Sequence, residues 1–360
     1  MGTTTGRADA ARSERAATRA GSGRPTMRAA VYSTFGGPEV VAVRTVPRPE
    51  PGPGDVLVRV EVSDVSVADH RLRARDLPRG MGVLAPFILG LRPRRRVLGM
   101  EVAGVVEAVG AAVTSFRPGD RVVATTGFRF GGHAQYAVVT ADGPVARVPD
   151  GIALADALAV VFGGITAATF LREAGLRPDD AVLVNGASGA VGVMAVQLAT
   201  HAGARVTGVA SGRNAGLVRD LGAEAVVDHE TEDVLASGRA YDVVVDCVGN
   251  LPLRRARRVL RPGGSLALVV GDLGSLLALP WHRLRRRYRV VGGNLRATAD
   301  DLTGLLELVV DGALRPVVDR TYDLDEIVDA HRYVDTGRKR GAVLLRVPPD
   351  GPAGAGGAAG

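Results

Sequence analysis

The feature that most constrains this chain is the run VLVNGASGAVG at residues 182–192, an apolar strand pattern that breaks into spaced glycines and then a helical pattern. Gly186, Gly189 and Gly192 permit a tight turn, bring backbone N–H groups close to a bulky anion, and let helix pack tightly on strand. The helix that follows, at residues 193–202, adds the partial positive charge of its unpaired N–H groups. Bare glycine spacing is a weak signal. Here a second apolar strand arrives on schedule at 205–210, as a βαβ unit requires. Further strands are expected at 181–185, 225–227, 241–247, 264–270 and 289–293, with helices between them. The second half of the chain therefore reads as α/β, a Rossmann doubly wound parallel sheet that binds a dinucleotide through Gly186, Ala187, Ser188, Gly189, Ala190, Val191 and Gly192.

The end of the second strand bears on which dinucleotide. An NAD site places Asp or Glu there to hold the ribose diol. This chain has GVASGRN at 208–214, without an acid. Ser211 and Arg213 are expected to hold a 2′-phosphate instead, because arginine pairs well with a phosphate dianion. The expected cofactor is NADPH.

The first half has a different rhythm. From Met27, short β-rich runs at 28–32, 55–62, 99–109, 120–124 and 134–139 alternate with Pro and Gly, and 47–54 reads as a Pro-rich turn. This half is expected to be a compact, mainly β domain. Residues 300–347 offer two helices and two strands that return to it. Residues 1–26 and 348–360, rich in Ala, Gly, Ser, Thr and Pro, are expected to be disordered.

Composition excludes several classes. The 46% hydrophobic and 23% charged content is that of a globular protein. No stretch of about twenty residues is both apolar and uncharged; the nearest, 151–171, carries Asp156, is interrupted by Gly163 and Gly164, and reads as buried helix and turn. The net charge of +7 is almost all arginine, since Lys339 is the single lysine, and it is spread along the chain without interleaved aromatics, which make up 4%. A nucleic-acid partner is not expected. Cys247 is the single cysteine, so there is no internal disulfide and no cysteine-built zinc site. The first residues lack a secretory apolar core, and Asp9 and Glu14 weaken a mitochondrial presequence, so the expected location is cytoplasmic.

Taken together, MRAAVY at 27–32, FGGPEV at 35–40, GMEVAGVV at 99–106, FRPGDRV at 116–122, the 185–192 loop, YDVVVDCVG at 241–249 and VVDRTY at 317–322 resemble the medium-chain dehydrogenase/reductase superfamily, in its zinc-independent quinone oxidoreductase branch. The resemblance implies a GroES-like catalytic domain over 27–148 and again over 296–347, with a Rossmann domain over 149–295 and the site in the cleft between them. It places Thr166, Gly271 and Asn294 near the nicotinamide. His229 falls near the adenosine phosphate, and Cys247, Gly249 and Asn250 along the ribose. For Cys247 a plain buried small residue is the competing reading. In zinc alcohol dehydrogenases of this superfamily, a cysteine and a histidine of the first domain hold the metal; their positions correspond to Ser66 and Met100 here. No metal is therefore expected. The branch's usual active-site asparagine also corresponds to Ser66, and a common tyrosine to Arg71, so the substrate is expected to differ.

The resulting expectation is a reductase of an electron-poor C=C bond or a quinone, including a reductive cyclase of secondary metabolism, acting on a small molecule. Ser66 and His70 are the candidates for polarising a carbonyl or relaying a proton. A non-catalytic NADPH-binding protein and an alcohol dehydrogenase are the alternatives. The resemblance also implies a homodimer joined through the strand at 289–293, which would hide an exposed sheet edge and would register as a dimer mass in light scattering.

Overall fold

A computed structural model describes residues 25–77, 82, 85–94, 96–271, 288–293 and 297–349. The expected disorder of the termini therefore lies almost wholly outside the described residues, as does Asn294.

In chain order the strands are β1 Thr26–Tyr32, β2 Val41–Pro47, β3 Asp55–Asp64, β4 Glu101–Val109, β5 Arg121–Thr125, β6 Tyr136–Thr140 and β7 Val145–Arg147. They continue with β8 Ala181–Asn185, β9 Arg205–Ala210, β10 Ala225–Asp228, β11 Tyr241–Asp246, β12 Leu260–Leu268, β13 Arg289–Val291, β14 Val318–Asp323 and β15 Ala342–Arg346. The expected two-part α/β architecture is present. In the second half, six parallel strands lie in the order β10-β9-β8-β11-β12-β13. The order reverses between β8 and β11, and ligands of such sheets bind outside the carboxyl ends at that switch point.

Both faces of this sheet are covered, which is why its strands read as unbroken apolar runs rather than alternating ones. On β8, Val182 and Val184 join the core under helix Ala190–His201, while Leu183 joins the core of the opposite face. Val243 and Val245 separate from Val244 on β11 in the same way. The apolar segment at 151–171 becomes helices Leu154–Ala159 and Val161–Ala174, long and apolar enough together to cross a membrane, yet 72% of the most apolar window is buried inside the fold.

In the first half, the sheet runs β14-β15-β3-β4-β5-β7, with β6 on the other side of β3 and β1–β2 as a separate hairpin. Strand β15 pairs antiparallel with β3, Leu344 opposite Asp64, so the end of the chain completes the first domain's sheet. Just before β15, Gly341 N–H donates to Ser188 O over 3.0 Å and a bridge links Gly189 to Gly341. The returning segment is thereby fastened to the glycine loop.

Candidate active site in the cleft

The switch point opens into a cavity of about 1360 Å³ whose two walls come from the two halves of the chain. On the Rossmann wall, β8 ends in Gly186, whose φ of +80° is left-handed and suits glycine. The N–H groups of Gly186 and Ala187 donate to Val209 O, pinning the loop to β9. A Cβ on Gly192 would stand 2.1 Å from Gly186 O, so a side chain there would push the loop apart. Helix Ala190–His201 starts at Gly189 without a side-chain cap, and Gly189, Ala190 and Val191 line the cavity. Open N–H groups at a helix start, in a cradle that side chains would fill, fit a pyrophosphate.

A second support lies beneath. Asp246, fully buried, accepts from Val248, Gly249 and Leu251 N–H at 2.8–3.1 Å and from Asn185 Nδ2 at 2.7 Å. Asn185 Nδ2 also donates to Asn250 Oδ1 at 2.7 Å. These bonds fix the turn that carries Cys247 and Asn250 to the cavity. Burial pushes the Cys247 thiol pKa far up, so it stays a neutral thiol there.

Of the residues expected at the cofactor, Gly186, Ser188, Gly189, Ala190, Val191 and Gly192 line the cavity, as do Ser211, Arg213, His229, Cys247, Asn250 and Gly271. Three do not. Ala187 is buried beneath the loop, Thr166 is buried with its hydroxyl donating to Phe162 O at 2.7 Å, and Gly249 sits behind Val248 and Asn250. Just past the end of β9 the exposed Arg213 has no hydrogen bond or ion pair among the described residues. Sequence reading missed Asp228 there. A Cβ on Gly212 would lie 2.5 Å from its Oδ2, so the neighbouring strand β10 brings one carboxylate to the loop that β9 itself leaves without an acid.

The opposite wall is helix Val67–Ala74. Val67, Ala68, Arg71 and Leu72 face the cavity, the spacing of one helical face, and Leu77, Leu89, Met100, Phe128 and Phe130 extend an apolar surface around them. The two expected catalytic residues are not on that surface. Ser66 is fully buried at the helix start, and both its N–H and its hydroxyl donate to Asp69 Oδ2 at 2.8 Å. His70 points the other way, its Nδ1 2.7 Å from Asp335. Helix periodicity explains where His70 points: it is two positions from Ala68 and one from Arg71, and residues at those offsets do not share a face.

Behind Met100 lies a buried acid pair. The carboxyl groups of Asp64 and Glu101 lie within interaction reach of each other, and neither Asp64 Oδ1 nor Glu101 Oε2 accepts from any donor among the described residues. Two carboxylates cannot satisfy one another without a shared proton. Burial pushes Asp64 up to about 6; burial first, and then the Asp64 charge, pushes Glu101 well above the usual range. Lys339 lies within electrostatic reach of both and lines the cavity, its Nζ donating to Gly341 O at 3.2 Å.

Because the folded pair binds protons more tightly than the unfolded chain, its stabilising effect is full in acid. It is lost as pH rises from about 4 through about 6, and further for Glu101. Asp64→Asn puts an amide N–H where the proton must sit. We expect urea unfolding at pH 5 and 8 to show the variant losing less stability between the two than wild type, by roughly 1–3 kcal/mol. An unchanged pH dependence would mean that the pair shares no proton.

Comparison with known proteins fits this geometry. Residues 52–150 match the family described as the alcohol dehydrogenase GroES-like domain, and residues 221–345 the zinc-binding dehydrogenase family. The chain is 31% identical to a chloroplastic quinone oxidoreductase of Triphysaria versicolor, over 89% of this chain and 98% of that one. It is also 31% identical to a quinone oxidoreductase of Pseudomonas aeruginosa, over 87% and 98%. The solved quinone oxidoreductase of Coxiella burnetii superposes with a TM-score of 0.81 at 27% identity, covering 90% of this chain and all of that one. A nicotinamide-dependent oxidoreductase with a GroES-like part and a Rossmann-like sheet is the class that fold and comparisons define. The chain belongs to the medium-chain dehydrogenase/reductase superfamily, in its quinone oxidoreductase-like branch.

The zinc of its alcohol dehydrogenase relatives does not fit the residues present. Ser66 is spent on Asp69, Met100 offers a thioether, and neither is among the usual zinc donors.

Proposed function

We propose that the protein is a zinc-independent, NADPH-dependent reductase of a quinone or an electron-poor C=C bond. The observation that carries this reading is the division of the cleft: an anion-cradling wall with an unpaired Arg213 faces an apolar wall that lacks zinc donors. The nicotinamide supplies a hydride, which with one proton from solvent converts a quinone to its hydroquinone, or saturates an enone, leaving NADP. The chain's part is to bind and orient. The glycine loop and the start of helix Ala190–His201 hold the pyrophosphate; Asp246 holds the turn along the ribose; Phe130, Met100 and Leu72 exclude water from the reacting end.

Relatives named quinone oxidoreductases over nearly their full length support this reading. The test is loss of NADPH absorbance with p-benzoquinone, naphthoquinone and methyl vinyl ketone as acceptors. We expect saturable turnover with at least one. A chain that binds NADPH but turns over none of them would be a cofactor-binding protein rather than a reductase.

A further inference from the structure

The helix Val67–Ala74 carries four ionisable side chains, and three are committed within the fold. Asp69 accepts from Ser66 and from Gly99 N–H, the latter at 2.7 Å. His70 and Arg73 both reach Asp335, and Arg73 also donates to Gly36 O at 2.6 Å. Arg71 is the exception: half-buried on the cavity wall, its guanidinium has no hydrogen bond or ion pair among the described residues. The nearest charge that acts on it is Asp76, an exposed residue that lies close to His70 instead.

A cation partly withdrawn from water carries a desolvation cost, and among the described residues no hydrogen bond or ion pair to its guanidinium offsets it. Burial accordingly lowers the guanidinium pKa. Its place in the last turn of the helix returns only a small stabilisation through the helix dipole. Leu72, Leu77, Leu89, Met100 and Phe128 line the same cavity, and the returning segment adds Arg338 and Lys339 to its lining. Such a wall suits a ligand that is apolar over most of its surface and negative at one point. Cofactor phosphates are provided for elsewhere, at the glycine loop and Arg213 across the cleft.

We propose that Arg71 is the anion-holding residue of the substrate subsite, so that the substrate is an apolar quinone or electron-poor alkene bearing one carboxylate or sulfonate. This rests on the reductase reading. Arg71 grips the oxyanion through two parallel N–H donors while the ring or chain lies on Leu72, Met100 and Phe128, which fixes the direction in which the electrophilic carbon meets the cofactor wall.

The test compares naphthoquinone with naphthoquinone sulfonate in wild type, Arg71→Gln and Arg71→Lys. The intrinsic reactivity of the two quinones cancels when the ratio of their kcat/KM values is followed across variants. We expect Arg71→Gln to lower that ratio for the sulfonate at least tenfold, with Arg71→Lys between. An unchanged ratio would overturn the proposal. So would a loss in Arg71→Gln of NADPH affinity, read by titration without quinone, because Arg71 would then belong to the cofactor. Calorimetric binding of naphthalenesulfonate to the NADPH complex needs no turnover. Arg71-dependent binding with no reduction of either quinone would sustain the anion site and sink the reductase reading, and absence of such binding would sink the anion site.

Discussion

Asp69→Ala is expected to cost the protein about 3–5 kcal/mol, roughly a fifth or more of the stability of an ordinary domain. One buried carboxylate here serves three donors: the N–H and hydroxyl of Ser66 through Oδ2, and the Gly99 N–H through Oδ1. All lie in a region closed to solvent, so alanine leaves the donors without partners and leaves a hole beside them. Asp69→Asn retains one acceptor oxygen and should cost less. The helix start and the entry into β4 are both tied to this group. Loss should therefore appear as a lower urea midpoint, together with weaker retention of the catalytic half's near-ultraviolet signal. A loss under about 1 kcal/mol would show that Asp69 is not the clamp.

The second large effect is on cofactor choice. NADPH should bind wild type more tightly than NADH, by about tenfold, the low end of what a charge-assisted contact of about 1.5–3 kcal/mol supplies. The low end is chosen because Arg213 is exposed and because Asp228 stands beside Gly212, where it opposes a second dianion. Arg213→Ala should remove most of the preference and leave NADH affinity nearly unchanged, whereas Asp228→Asn should enlarge it. Added salt should shrink it in wild type. Equal affinities in wild type, or a preference that survives Arg213→Ala, would mean that the 2′-phosphate is read by other groups.

Much of the fold was legible because its signals are local. The strand at 182–185, the glycines and the following helix announce themselves through apolar runs and turn chemistry, and β8 and β9 have the expected boundaries. Strand β2 ends at Pro47, where the Pro-rich turn between strands was expected to begin, whereas β7 was not singled out because three residues carry little pattern. The cofactor wall followed from the same local motif. The substrate wall did not. Whether Ser66, His70 or Arg71 meets the cavity depends on the rotation of one short helix, which the tertiary partners Asp69 and Asp335 decide. Asp228 was hidden for a related reason: it reaches the β9 loop from the next strand, and Asp64 meets Glu101 only because β3 pairs with β4.

The helix at 67–74 divides its labour by face. Asp69 and Arg73 hold it to the body of the protein from below, while Val67, Ala68, Arg71 and Leu72 form the surface over which a substrate would lie. The anchoring residues share none of their partners with the cleft-facing ones, so changes at the four exposed-face positions leave the anchor intact. A lineage built on this scaffold is free to explore new substrates by drift at those positions, at little cost in foldedness.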